Sequence, residues 1–172
     1  PKEKYLNDGT SFDTYIEYTM EDNTRGIIGI EVKYTEREYK LDKDSKQEVE
    51  VLDNSSRYYT ISNECKLYRD GVINVLKSDK FRQIWRNHIL GESILFADSD
   101  KFKHFTSVTL FPEGNIHFVN TSNDYINLMV DNCNSFLPVT YEDFFSVCVK
   151  HCPDDKYKEW LNYLERRYIV KA

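Results

Sequence analysis

The sequence predicts an α/β fold, a small mixed β-sheet flanked by helices, and three observations predict it. Two runs near the start, Phe12–Met20 and Ile28–Tyr34, alternate with period two around a polar turn, as strands with two unlike faces do. Short β-branched and aromatic runs recur at Phe105–Phe111 and Phe136–Val139. Between and after them, apolar residues recur at helical spacing, as at Phe81, Ile84, Trp85 and Ile89.

The first two runs form a hairpin. In the first, Phe12, Thr14, Ile16, Tyr18 and Met20 alternate with Asp13, Tyr15, Glu17 and Thr19. In the second, Ile28, Ile30, Val32 and Tyr34 share one face, and Gly29, Glu31 and Lys33 share the other. A carboxylate and an ammonium two residues apart on an apolar strand are either a site or a surface salt-bridged hairpin in which Glu31 and Lys33 merely offset each other, and spacing alone favours the salt bridge. Residues directly opposite in an antiparallel pair lie on the same face. Pairing Met20 with Gly26 sets Asp13 opposite Lys33, and a shift of two sets Asp13 opposite Glu31. Either register brings both carboxylates and the lysine together; a slip of one would send Asp13 to the other face.

Asp13 followed by Glu31-Val32-Lys33 resembles the D…(D/E)xK signature of the PD-(D/E)xK nuclease superfamily, and the context IGIEVKYTE is similar to a restriction-endonuclease branch of it. The likeness is close over Thr10–Glu36 and looser around Arg82–Leu90. Phe12 stands where the eponymous proline would be. The resemblance implies a restriction-endonuclease-like core. It also implies a helix before the first motif strand. The chain starts at Pro1 and reaches its motif almost at once, so the expectation is one nuclease-like domain over 1–172 lacking an N-terminal portion.

The elements after the hairpin follow in order. Arg37–Arg57 is rich in Lys, Asp, Glu and Ser with little periodicity and reads as a loop. Thr60–Tyr68 reads as a short helix capped by Ser62. Ser78 or Asp79 caps the next helix, to about Phe96. Arg82, Gln83 and Arg86 lie away from its apolar stripe, with Arg82 and Arg86 one turn apart. Phe105–Phe111 is a strand, closed by the turn Pro112–Asn115. Ile116–Val119 reads as a further strand making a second hairpin. Ser122 caps a helix from Asn123 to about Asn132, and Phe136–Val139 is a brief strand. Thr140 with Asp143 opens a helix to His151. The last helix, Asp154–Val170, shows a stripe of Trp160, Leu161, Leu164 and Tyr168 that reads as core.

Composition bounds the function. A chain of 172 residues with 40% hydrophobic and 30% charged content supports one soluble domain with a real core. Its longest apolar run, Gly26–Ile30, is far too short to span a bilayer. Cys65, Cys133, Cys148 and Cys152 are sparse and lack a C-x-x-C pair, so they read as buried thiols in a reducing, cytoplasmic setting rather than as zinc ligands. His88, His104 and His117 show no ligand spacing. No Gly-rich phosphate loop or Ser-His-Asp pattern is present. The net charge of −6 argues against nucleic-acid binding, but Lys77–Lys103 is locally basic by two charges.

The expected function, on the resemblance, is a Mg2+-dependent endonuclease that hydrolyses DNA phosphodiester bonds, with Mn2+ as a substitute ion. Asp13 and Glu31 supply carboxylate oxygens and Val32 its carbonyl, the hard oxygen donors that Mg2+ takes. Lys33 polarises the attacking water and offsets developing charge. Gln83 and Arg86, with Arg82, are the expected phosphate contacts, guanidinium matching phosphate geometry. DNA is the expected partner, no membrane is involved, and a homodimer is left open. The alternative is a catalytically inactive module on the same fold, serving in nucleic-acid or protein binding.

Overall fold

The computed structural model describes residues 2–37 and 40–169. Four strands form one sheet in the order β1 (Thr14–Thr19), β2 (Arg25–Val32), β3 (His104–Phe111) and β4 (Phe136–Thr140). The sheet is mixed. β1 and β2 pair antiparallel, while β2 with β3 and β3 with β4 pair parallel. Parallel neighbours need long crossovers. Four helices make the first, namely α1 (Lys46–Leu52), α2 (Arg57–Glu64), α3 (Ile73–Leu76) and α4 (Arg82–Ala97). α5 (Ile116–Asn127) makes the second, and α6 (Tyr141–Lys150) and α7 (Asp155–Tyr168) follow β4.

The β1–β2 hairpin closes on a turn that its sequence dictates. Asn23 takes a positive φ of 65°, which Asn tolerates better than most residues. Asp22 accepts from the backbone and hydroxyl of Thr24, at 2.9 and 2.6 Å. The observed register, Thr14 opposite Ile30 and Thr19 opposite Arg25, is the second of the two expected ones. Continued by one residue, it sets Asp13 opposite Glu31.

The main core lies between the sheet and helices α2, α4 and α5. Trp85, Tyr58, Leu76, Ile89 and Tyr125 are fully buried there, beneath Phe111 and Phe136 of the sheet. Burying one such side chain contributes about 2–3 kcal/mol. The indole of Trp85 donates to Ser62 across 2.9 Å, so its polar edge is satisfied as well. Burial alternates strictly along β3, with Phe105, Ser107, Thr109 and Phe111 buried; Phe111 joins this core, and Phe105 packs with Ile27 and Phe102 in a smaller cluster. α4 lies close on the strand because Gly91 has no Cβ; one there would come within 2.0 Å of the Phe105 ring. A smaller cluster of Tyr141, Phe145 and Leu161 packs against Leu110. Among the described residues, no helix is long and apolar enough to cross a membrane.

Several elements differ from the sequence expectation. α1 lies inside the expected loop, where Ser45 caps it by accepting from the Glu48 amide across 3.1 Å; residues 38 and 39 of that loop lie outside the described residues. α2 starts three residues early because Ser56 is its cap, while Ser62 is buried under Trp85. Ile116–Val119 is helical, not a strand. Asn115 caps α5 by accepting from the Phe118 amide, and β3 pairs with its parallel neighbours instead of forming a second hairpin. In α7 only Leu161 is buried; Trp160 is 58% exposed, so that stripe is a partly open face. The expected end of this helix at Val170 lies outside the described residues. Thr140 caps α6 as its sequence indicates.

Candidate active site

β2 carries the site at its C-terminal end. Glu31 is its penultimate residue, and Lys33 follows directly, held to the sheet edge by a backbone bond to Leu110 of 2.8 Å. Asp13 lies just before β1, where the hairpin register delivers it to Glu31. Its Oδ2 accepts from the Val32 amide across 2.8 Å, which fixes the carboxylate beside the Glu31 segment. Gly29 makes room for the turn into β1, since a Cβ there would come within 2.4 Å of the Phe12 ring.

The Glu31 carboxylate is held from three sides. Lys33 Nζ lies 2.7 Å from Oε1, Gln83 Nε2 also lies 2.7 Å from Oε1, and Asn87 Nδ2 lies 2.8 Å from Oε2. An ionised carboxylate offers about four lone-pair positions and can only accept, so both amides must present nitrogen, and about one position remains. Exposure grades across the site: Asp13 is open to solvent, whereas the Glu31 and Lys33 side chains are 12% and 9% exposed. The Lys33 charge also reaches Glu36. Partial burial works against the Glu36 carboxylate, but backbone hydrogen bonds from its own amide and from Tyr34, with the Lys33 charge, leave its pKa lowered.

Arg82 and Arg86 do not stand where the sequence reading sets them. Both are buried and committed inside the protein. Arg82 pairs with Glu48 at 2.9 Å and Asp79 at 3.1 Å, and its Nε donates to the Lys77 carbonyl at 3.0 Å. Arg86 pairs with Asp8 at 3.2 Å and donates to Tyr58 and Thr10. Burial opposes the charge on Asp8, but the bonds from Tyr58 and Thr10 and the charge of Arg86 outweigh it and lower its pKa. Gln83 does face the site, but it contacts Glu31.

Asn87 is a site residue that sequence reasoning missed. It is spaced four residues from Gln83, as Arg86 is from Arg82, so the helix offers two polar rows at the same spacing; the sequence reading takes both arginines of one row and only Gln83 of the other. The structure spends the charge of the arginines on Asp8, Glu48 and Asp79, two of which come from segments far away in sequence.

The donor chemistry fits a hard divalent ion. Asp13 and Glu31 offer carboxylate oxygens and Val32 a backbone carbonyl, and Mg2+ is commonly held by one or two carboxylates while keeping several waters. Among the described residues there is no group of three or more His, Cys, Asp or Glu placed to hold a metal. The four cysteines are free and half-buried.

Fold and site define a class: an α/β protein that carries an aspartate and an E-x-K triplet on adjacent strands of a mixed sheet. The chain belongs to the PD-(D/E)XK nuclease superfamily, whose family model matches residues 1–170. Members of that superfamily are generally nucleases and typically use divalent metals. Comparison with curated proteins and with solved structures finds no match.

Proposed function

We propose that the chain is a Mg2+-dependent endonuclease that hydrolyses DNA phosphodiester bonds. The observation that carries this reading is the arrangement at Glu31: a carboxylate held by Gln83 and Asn87, paired with Lys33, and set opposite Asp13 by the hairpin register. A solvent-exposed salt bridge would not need two side-chain amides, one of them the buried Asn87, to orient it.

Each residue then has a role. Asp13, Glu31 and the Val32 carbonyl would hold Mg2+, which supplies Lewis acidity toward the scissile phosphate and eases deprotonation of water. Lys33 orients the attacking water and offsets the charge that develops on the phosphate oxygens. Its ammonium is nearly buried, where such a charge acts through a low dielectric and is worth more than in water. Gln83 and Asn87 are positioning residues, because they act through Glu31.

The test combines cleavage and melting. Wild-type protein with Mg2+ should cut DNA, offered as supercoiled plasmid and as single strands, and Asp13→Asn, Glu31→Gln and Lys33→Ala should each abolish cutting. Mn2+ should raise the wild-type melting temperature, since an ion that binds only the native state stabilises it by about 2.7 kcal/mol at a hundredfold excess over Kd. Lys33→Ala should keep that rise and Asp13→Asn should lose it. If Mn2+ stabilises Asp13→Asn as much as wild type, the ion is bound elsewhere and the proposed centre is wrong.

A further inference from the structure

A cavity of about 660 Å3 opens beyond the C-terminal ends of β2, β3 and β4. Ligands in open α/β sheets bind outside the carboxyl ends of the strands, and this volume is typical of a small-molecule pocket. Asp13, Glu31 and Lys33 do not line it, but its lining begins at the residue after Lys33. Tyr34 is a lining residue and follows Lys33 directly, one Cα step of about 3.8 Å. The Lys33 side chain turns to Glu31 while its carbonyl accepts from the Tyr141 hydroxyl across 3.1 Å.

The wall is aromatic and fixed. Tyr34 stacks on buried Tyr141, with centroids 6.2 Å apart and planes 15° apart, and Tyr168 stands edge-on to Tyr34 at 6.0 Å. Tyr34 and Tyr168 both line the cavity and both remain 37% exposed. The polar lining has both signs. Arg37 is exposed and His117 half-buried, while Glu142 takes the Glu113 amide on Oε2 at 2.9 Å and keeps Oε1 as an acceptor. Asn115 spends its amide on the Tyr34 and Glu36 carbonyls, at 3.1 Å each, and so holds the loop after β2 in place.

These features together select an occupant. A purely apolar ligand would strand Arg37 and Glu142. A simple anion would have no use for the rings and would meet the Glu142 carboxylate. A nucleotide uses all three: its base stacks on the tyrosines, its amino or ring N–H group donates to Glu142, and its phosphate meets Arg37. A base inside a duplex has both faces covered and cannot stack on protein. We propose that this cavity seats the base of an unpaired nucleotide next to the scissile phosphate, so that the substrate is a single-stranded or locally unpaired strand. The proposal rests on the nuclease reading above, which sets the phosphate at Lys33.

The test measures binding in EDTA, where cutting cannot intervene, with a fluorescent single-stranded oligodeoxynucleotide and an abasic strand of equal length and charge. Wild type should bind the base-bearing strand about tenfold or more tighter, in line with one stacked base. Tyr34→Ala and Tyr168→Ala should erase that preference, while Tyr34→Phe and Tyr168→Phe should keep it. Ile116→Trp, at a lining position 60% exposed, should block the cavity without touching the core and should erase it too, which guards against misfolding of the alanine variants. Equal binding of both strands by wild type, or an equal loss on both strands in the alanine and Ile116→Trp variants, overturns the proposal. Cleavage in Mg2+ is read separately. A wild type that cuts duplex and single strands equally well, with no base preference, sinks the pocket and spares the nuclease. One that shows base preference but never cuts sinks the nuclease, and with it the placement beside a scissile phosphate.

Discussion

Gln83 donates its side-chain amide to Glu31 across 2.7 Å, although 52 positions separate the two in sequence. Asn87, one turn further along α4, donates to the other oxygen of the same carboxylate. The crossover helix thus reaches back over the sheet and sets the orientation of a residue on β2. Groups that orient a metal-binding carboxylate typically matter by 10–100-fold in metal affinity or activity.

Gln83→Ala should therefore lower kcat and weaken Mn2+ binding by about that factor, and Asn87→Ala should do the same. Stability should fall only by about 1 kcal/mol for each, the worth of one hydrogen bond, since Lys33 stays in place. Cleavage kinetics and Mn2+ titration check this. A variant that keeps its metal affinity and kcat but raises KM for DNA would make Gln83 a substrate contact instead.

Arg86 has the opposite profile. Its side chain is 6% exposed and pairs with Asp8 at 1%. Removing one partner of such a pair leaves a buried, uncompensated charge and costs about 3–5 kcal/mol. Arg86→Ala should lower the melting temperature by about 6–20 °C, at the 2–4 °C per kcal/mol usual for a chain of this size. The salt dependence of DNA binding by the folded fraction should not change, because no phosphate contact is lost. A flattened salt slope with an unchanged melting temperature would return Arg86 to the DNA interface.

The contrast between Gln83 and Arg86 shows what was legible in the sequence. The hairpin was, because period two and a short turn fix the register to within a shift of two, and both allowed registers join Asp13 to the Glu31 face. The cap of α6 at Thr140 was, because that signal is local. The apolar stripe of α4 was too, but its start was not: the helix begins at Arg82 behind Phe81, with no side-chain cap, and neither Ser78 nor Asp79 caps it. The partners of Arg82 and Arg86 were not. Glu48 comes from a helix hidden in a charged, aperiodic stretch, and Asp8 from the lead-in to β1. Which of two polar rows on α4 faces the sheet depends on how the helix is rotated, and that is set by Trp85, Ile84 and Gly91 packing against distant residues. The Ile116–Val119 segment failed for a related reason: three β-prone residues, Ile116, Phe118 and Val119, were outweighed by a cap at Asn115 and by burial of Phe118.

Glu92 gives a prediction that is independent of the active site. It lies on α4 one turn after His88, and burial alone pushes its carboxyl up to about 7 from an ordinary 4.5. The groups that face it, Cys65, Tyr68 and Tyr125, are all raised by burial and carry no charge near neutrality. Below pH 4.5 Glu92 is neutral whether the chain is folded or not, and this contribution to stability is fully present. As pH rises through 7 the unfolded chain releases the proton first, and the contribution is lost. His88 works the other way: burial holds it down at about 3, so its contribution is lost as pH falls from 6.5 toward 3. The two oppose each other between pH 4.5 and 6.5, and the wild-type profile alone will not separate them. The difference between Glu92→Gln and wild type will, since His88 is common to both. That difference should be flat below pH 4.5 and grow in favour of the variant through pH 7, reaching on the order of 3 kcal/mol at pH 8. In melting temperature this is about 6–12 °C. Replacing the carboxyl by an amide adds an offset, but an offset does not vary with pH. Thermal melts of both proteins from pH 4 to 8 make the measurement, and a constant difference across that range would mean that Glu92 ionises in the folded protein as it does in the unfolded chain, its burial compensated by a partner.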